Sequence, residues 1–193
     1  MSEPVAASVQ GVAGLLLTGG ASRRMGTDKA SIVVSGVPLA VRTAAVLAAV
    51  VAPALEVGPG RSALDAVVDD PPGRGPLAAA AAGARALSER GHRGPAVVVA
   101  CDLPRLGPRA VHGLAAHPGS ASVVPVVDGR PQWLVARWSE AALALAPVLV
   151  AAGERRMAAL ARAGVAWLDQ PDWSAELLDV DTPEDLARAG LHR

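Results

Sequence analysis

The sequence predicts a doubly wound α/β domain, a mostly parallel sheet between two layers of helices, and three observations predict it. Residues 12–18 (VAGLLLT) and 96–101 (AVVVAC) are apolar runs, the form taken by strands buried on both faces of a parallel sheet. Strand-like and helix-like segments alternate along the chain, the order that βαβ crossovers leave. Hydrophobic residues make up 51% of the 193, yet only 2% are aromatic, with four Trp and neither Phe nor Tyr. Such an aliphatic, Ala-rich composition suits helices packed on a Val/Leu sheet.

Each element has its own local signal. Residues 1–10 are small and polar and are expected as a flexible tail ahead of one domain over residues 11–193, a length that suits a single core. The run 12–18 stops at Gly19-Gly20. A weaker strand signal covers 31–34, after which Pro38 can serve as a first-turn proline to a helix with Val46/Val50 and Leu47/Val51 at i,i+4. Strands are expected at 54–58 and 66–69. Residues 76–87 are Ala-rich behind another first-turn proline and predict a helix. After the strand 96–101 come a helix at 108–116 and a strand at 122–126. Asp128-Gly129 is a hairpin signal leading to a strand at 132–138, so the sheet is expected to be mixed there. Helices at 139–151 and 154–163, strands at 165–168 and 177–180, and a helix at 183–189 with Thr182 as its N-cap and Asp185 at its third position complete the reading.

The charges balance, 18 basic against 18 acidic, which argues against a general nucleic-acid coat. A single cysteine, Cys101, excludes an internal disulfide framework and a Cys-rich zinc site, and it reads as a small buried residue. The four His are scattered without metal-ligand spacing. The N-terminus lacks the basic start and apolar core of a signal peptide. No apolar stretch reaches the roughly 20 residues that span a bilayer without a charge, Pro or Gly breaking it. A cytoplasmic protein with neither nucleic acid nor membrane as partner is expected.

The densest chemistry follows the first strand: Leu17-Thr18-Gly19-Gly20-Ala21-Ser22-Arg23-Arg24-Met25-Gly26-Thr27-Asp28-Lys29. Ligands of open α/β sheets bind at the carboxyl edge of the strands. Paired glycines let the backbone approach a ligand and turn its N–H groups inward. Arg23, Arg24 and Lys29, the last being the chain's one lysine, add cations suited to a polyphosphate. The bland reading is a strand-to-helix turn carrying exposed basic residues. The spacing is neither a Walker A loop nor Gly-x-Gly-x-x-Gly, which disfavours a dinucleotide-dependent dehydrogenase.

Asp102 closes the most apolar strand, in Cys101-Asp102-Leu103-Pro104. A carboxylate there can hold Mg2+ against bound phosphates or cap a turn. Asp69-Asp70 precede a Pro/Gly loop that ends in Gly75-Pro76-Leu77, where Gly75 at a helix start permits close approach and the helix end attracts negative charge. Near the C-terminus stands Asp179-Val180-Asp181-Thr182-Pro183-Glu184-Asp185. Trp133, Trp138, Trp167 and Trp173 read as packing groups more than stacking platforms.

The glycine loop resembles the signature of nucleotidyltransferases that make sugar nucleotides and cofactors, Leu-x-Gly-Gly-x-Ser-x-Arg-Met-Gly-x-Asp-Lys. Its Gly-Gly and terminal Asp-Lys resemble the molybdenum cofactor guanylyltransferase (MobA-type) branch, and the later motifs follow in that family's order over nearly the whole chain. The resemblance implies a three-layer, Rossmann-like fold of the nucleotide-diphospho-sugar transferase type. It implies GMP transfer from GTP to the terminal phosphate of molybdopterin with release of pyrophosphate and with Mg2+ as cofactor. Proteins of molybdenum cofactor biosynthesis, or molybdoenzymes, would be its partners. Carried over, Leu17, Thr18, Gly19, Gly20, Arg23, Gly26 and Lys29 would bind the nucleotide, together with Asp69 or Asp70, Gly75 and Asp102. Lys29, Arg24 and Asp102 would act in catalysis, and Asp102 with Asp181 would hold the metal. Departures are Thr18 where the family often has Ala, Ala79 for Gly, and Asp179 and Asp181 for two Asn. Related molybdopterin cytidylyltransferases carry Asp at the last positions. Gly153-Glu154-Arg155-Arg156 matches a Gly-x-Arg segment near the second substrate. Arg130-Pro131-Gln132-Trp133 departs from the family's pattern on the pterin side. Cytidylyl transfer, guanylyl transfer to another phosphorylated cofactor, and nucleotide binding without catalysis stay open.

Overall fold

Successive side chains of β1 (Ala13–Leu17) point to opposite faces, and all are buried. Ala13, Leu15 and Leu17 join the core on one face and Leu16 the core on the other. The same alternation in 96–100 sends Val97 and Val99 one way and Ala96 and Val98 the other. Both continuous apolar runs are therefore central strands, as the sequence predicts.

The computed structural model describes residues 8–19, 29–68, 73–180 and 185. After β1 come the short hairpin β2 (Val33–Val34) and β3 (Val37–Pro38), then β4 (Ala54–Val57), β5 (Asp65–Val67), β6 (Ala96–Ala100), β7 (Ser122–Val127), β8 (Arg130–Pro131), β9 (Val135–Trp138) and β10 (Val165–Asp169). The eight-stranded sheet runs β10-β7-β9-β6-β1-β4-β5, with β8 paired to β7. Neighbours β6, β1, β4 and β5 are parallel, as are β7 and β10. Within this sheet only β8 and β9 run against their partners.

Helices α1 (Leu39–Val50) and α3 (Pro108–Ala115) cover one face; α2 (Pro76–Glu89), α4 (Glu140–Ala151) and a 3-10 helix (Met157–Ala163) cover the other. Two glycines set the spacing. A Cβ on Gly14 would lie 2.7 Å from Leu47 Cγ, and one on Gly83 would lie 2.8 Å from Leu15 Cδ2 and Val57 Cγ2, so α1 and α2 rest directly on β1. The three layers follow. Among the described residues no helix is long and apolar enough to cross a membrane.

Several boundaries differ from the sequence reading. Val9 already pairs with Val51, its N–H donating to the Val50 carbonyl at 2.8 Å, so ordered structure begins before residue 11. Pro38 ends β3 and is the N-cap of α1 rather than its first turn. The Asp128-Gly129 turn, with φ of 50° and 74°, is the expected hairpin, but it returns into β8, and the run 132–138 becomes strand only from Val135. Residues 154–163 form a 3-10 helix from Met157, not an α-helix; buried Met157 and Leu160 stand three apart, the repeat of a 3-10 turn. Residues 177–180 are not a strand. The Leu177 N–H donates to the Trp173 carbonyl at 2.9 Å and the Val180 N–H to the Asp102 carbonyl at 3.0 Å; Leu177 and Val180 are buried while Leu178 and Asp179 between them are exposed, and the segment has no strand partner among the described residues. The expected helix at 183–189 lies outside the described residues apart from Asp185.

A charged side chain of β9 is buried inside this frame. Arg137 in β9 is 1% exposed, and its guanidinium donates to the carbonyls of Ala115 (3.3 Å), His117 (2.6 Å), Gly119 (3.0 Å) and Ala121 (3.0 Å). Burial pushes its pKa below the ordinary arginine value. The fork of donors ties the end of α3 and the following loop to the sheet.

Candidate active site

Parallel pairing puts the carboxyl ends of β1, β4, β5 and β6 on one edge. Because β9 is antiparallel to both β6 and β7, the end of β7 lies on that edge too. The segments gathered there are the turn after β1, the loop after β4, Asp102, and the turn at Asp128.

The turn after β1 is bound tightly to its neighbours. Thr18 and Gly19 N–H groups both donate to the Val57 carbonyl, at 3.0 and 3.4 Å, and the Leu17 carbonyl accepts from the Cys101 N–H at 3.2 Å. Those two amides are therefore taken up within the fold. The buried Thr18 hydroxyl donates to Glu56 Oε1 at 2.5 Å.

Glu56, fully buried near the end of β4, is a residue at this edge that sequence reasoning does not single out. Besides Thr18 it accepts from the N–H groups of Gly60 (2.9 Å), Arg61 (2.7 Å) and Ser62 (2.8 Å) and from the Ser62 hydroxyl (2.7 Å). Burial alone would raise its pKa; the Thr18 hydroxyl and the Arg61 and Ser62 donors outweigh that and hold it below the ordinary glutamate value. The available signal is the run Gly58-Pro59-Gly60-Arg61-Ser62 soon after an acid, since such turns present inward N–H groups. Gly58 has φ 151°, and a Cβ there would overlap Thr18 Oγ1.

Asp102 follows β6, half-buried, with Cys101 buried beside it. Asp102 lines a cleft of about 570 Å³ together with Asp128, Arg130, Gln132, Trp133 and Asp179. Trp133 stacks on Trp138 (centroids 6.3 Å, 15° between planes) and meets Trp167 edge-on (5.7 Å, 74°). These tryptophans pack on one another as the sequence suggests, while Trp133 also faces the cleft.

Gly75, with φ 98°, is the N-cap of α2. A Cβ there would lie 3.4 Å from both Arg155 Cβ and the Arg155 carbonyl oxygen, and that carbonyl accepts the Leu77 N–H at 3.3 Å. The close approach at this helix end is made by the protein's own Arg155 segment. Next to it the Arg156 side chain and the Arg156 and Arg155 amides hold the Glu154 carboxyl down at about 2.

The structure thus brings Leu17, Thr18, Gly19 and Asp102 together at the β1–β6 edge and sets Gly75 in the helix layer. Lys29 begins a 3-10 helix, Lys29–Ser31. Gly20, Arg23, Arg24, Gly26, Asp69, Asp70 and Asp181 lie outside the described residues. Among the described residues no group of three or more His, Cys, Asp or Glu is placed to hold a metal.

Comparison with known proteins settles the family. The MobA-like NTP transferase domain matches residues 14–165. The chain belongs to that family. It is 39% identical over 194 residues to the molybdenum cofactor guanylyltransferase of Rhodobacter capsulatus, covering 92% of this chain and 94% of that one. It is 37% identical over 190 residues to a probable molybdenum cofactor guanylyltransferase of Mycobacterium bovis, covering 94% and 92%. The family's fold recurs in the crystal structure of molybdopterin-guanine dinucleotide biosynthesis protein A from Archaeoglobus fulgidus (TM-score 0.75, 22% identity, 92% of this chain and 96% of that one). It recurs as well in 2-C-methyl-D-erythritol 4-phosphate cytidylyltransferase from Thermus thermophilus (TM-score 0.64, 19% identity, 91% and 95%).

Proposed function

We propose that this chain transfers GMP from GTP to the terminal phosphate of molybdopterin, releasing pyrophosphate, in the cytoplasmic assembly of the molybdenum cofactor. The observation that carries this reading is the 39% identity to the Rhodobacter capsulatus enzyme across nearly all of both chains. The cleft beside Asp102, at the edge where open α/β sheets take their ligands, supports it. Proteins of the same biosynthesis, or the molybdoenzymes that receive the product, are its partners.

In the reaction an oxygen of the acceptor's terminal phosphate bonds to the α-phosphorus of GTP as the bond to the β-phosphate oxygen breaks. The attacking oxygen is already ionised at neutral pH, so no general base is required. The glycine turn from Leu17 to Gly20, with Arg23 and Gly26, cradles the triphosphate. Lys29 and Arg24 stabilise the charge that develops on the α-phosphate and pyrophosphate. Asp69 or Asp70 binds on the nucleotide side. The cleft past Asp102 offers Arg130 for the acceptor's phosphate and Gln132 and Trp133 for its ring system.

Mg2+ fits the donor set. It takes hard oxygen ligands, one or two carboxylates plus phosphates and water, and Asp102 is a half-buried carboxylate at the phosphate edge. Asp181 is the second expected ligand. When bound, the ion neutralises phosphate oxygens.

The test is pyrophosphate release from protein, Mg2+, molybdopterin and either GTP or CTP. Lys29→Ala and Asp102→Ala are each expected to lose about 100-fold or more, the scale of one lost transition-state contact. Wild-type rates in both variants overturn the mechanism. Preference for CTP favours the second reading, which the aspartates at 179 and 181 motivate. Binding of GTP without turnover assigns the chain to nucleotide binding alone.

A further inference from the structure

We propose that Glu56 is a positioning residue for the nucleotide: it acts through the Thr18 hydroxyl and the amides of Gly60, Arg61 and Ser62 to lock the loop after β4 against the glycine turn after β1. This role rests on the nucleotidyl-transfer reading above and deepens it.

Three observations carry the inference. First, β4 needs no charge for its own packing, because Leu55 and Val57 on either side of Glu56 already fill the helix-side core. A fully buried carboxylate is costly unless its oxygens are satisfied. Second, its donors are distributed so that it bridges two loops. Oε1 takes the Thr18 hydroxyl from one and the Gly60 and Arg61 amides from the other, while Oε2 takes both Ser62 donors. Third, the loops touch with no side chain between them. At Gly58 a Cβ would overlap Thr18 Oγ1 and lie 2.9 Å from the Gly19 nitrogen. Thr18 and Gly19 lead directly into Gly20 and the basic loop. A shift of the 58–62 loop therefore displaces Thr18 and Gly19, the start of the proposed nucleotide cradle, while the cleft lined by Asp102 extends from the end of β6 toward β9 and β7, away from β4.

The chemistry fixes which substitution is informative. Glutamine keeps one carbonyl oxygen for Thr18, Gly60 and Arg61, but it sets an NH2 against the Ser62 N–H, donor facing donor. The volume is kept and the lock is half undone.

The experiment measures GTP affinity of the full chain by calorimetry, and KM for each substrate, in wild type, Glu56→Gln, Ser62→Ala, Thr18→Val and the Thr18→Val/Glu56→Gln pair. Glu56→Gln is expected to weaken GTP binding about tenfold, and Ser62→Ala about threefold, at little change in acceptor KM and in kcat at saturating GTP. Because Thr18 and Glu56 belong to one hydrogen-bonded lock, Thr18→Val breaking its link to the glycine turn and Glu56→Gln its link to Ser62, their effects on GTP affinity are expected to be less than additive. GTP affinity unchanged in Glu56→Gln and Ser62→Ala, with only a lower melting temperature, overturns the positioning role. So do additive effects in the pair, or an equal rise in acceptor KM. If Glu56→Gln does not fold, Ser62→Ala decides. Wild-type protein that binds no nucleoside triphosphate overturns the functional reading and this role together.

Discussion

Arg137→Ala removes a guanidinium that serves four carbonyls at once. Those of Gly119 and Ala121 belong to exposed residues and regain water when the side chain goes; those of buried Ala115 and half-buried His117 do not. Each buried acceptor left without a donor costs about 1–3 kcal/mol, and the vacated volume adds a cavity term. Relief of the desolvated charge offsets part of this. The net loss should match that of breaking one partner of a buried charged network, about 3–5 kcal/mol. For a domain of this size about 2–4 °C of melting temperature goes with each kcal/mol, so a drop of about 6–20 °C is expected. Circular-dichroism melts, backed by urea midpoints, measure it. Arg137→Lys should recover less than half, since one ammonium cannot span the four carbonyls. A melting temperature for Arg137→Ala less than about 2 °C below wild type would overturn this account, because two orphaned buried acceptors alone cost about 4 °C or more.

Other outcomes follow from the same geometry. Glu56 is held below the ordinary glutamate value, so it contributes stability above that value and loses it as pH falls through its depressed folded value. Urea midpoints of wild type should decline below about pH 5, and the decline should be shallower in Glu56→Gln. Gly58→Ala puts a methyl where Thr18 Oγ1 lies, at a positive φ; a loss of about 1–3 kcal/mol is expected by urea titration, with weaker GTP binding.

The parts of this molecule that can be read from its sequence are those where one local pattern has one structural meaning. Ala-Val-Val-Val-Ala can only be a central strand in a chain of alternating elements, and Asp128-Gly129 can only turn a hairpin. The 154–163 segment misleads because Ala-rich composition favours either helix type. The choice is made by Met157 and Leu160 packing under α4, a tertiary matter. Residues 177–180 look like a strand because they are mostly apolar, yet Leu177 and Val180 are buried separately, in the α1/α3-side core and against Ile32, Val34 and Leu39, and not by pairing with a neighbouring strand. At the site, Asp102 and the glycine turn announce themselves by position after apolar runs. Glu56 and Arg137 do not, because each is one polar letter within a strand, and its partners lie in loops whose backbone the sequence leaves undirected. Four of Glu56's five donors sit within six residues of it, so that site is the nearer to being legible.

The reversed strand β9 has a consequence for descent. It stands between two neighbourhoods of the sheet: β6, β1, β4 and β5 with the glycine turn and Glu56 on one side, and β7, β8 and β10 with Asp128, Arg130 and Ser174 on the other. Substitutions that reshape the second neighbourhood leave the parallel register of the first untouched. If the proposed assignment holds, a lineage built on this plan can exchange its phosphate acceptor while inheriting its nucleotide grip, with β9 as the seam between what is kept and what is free to drift.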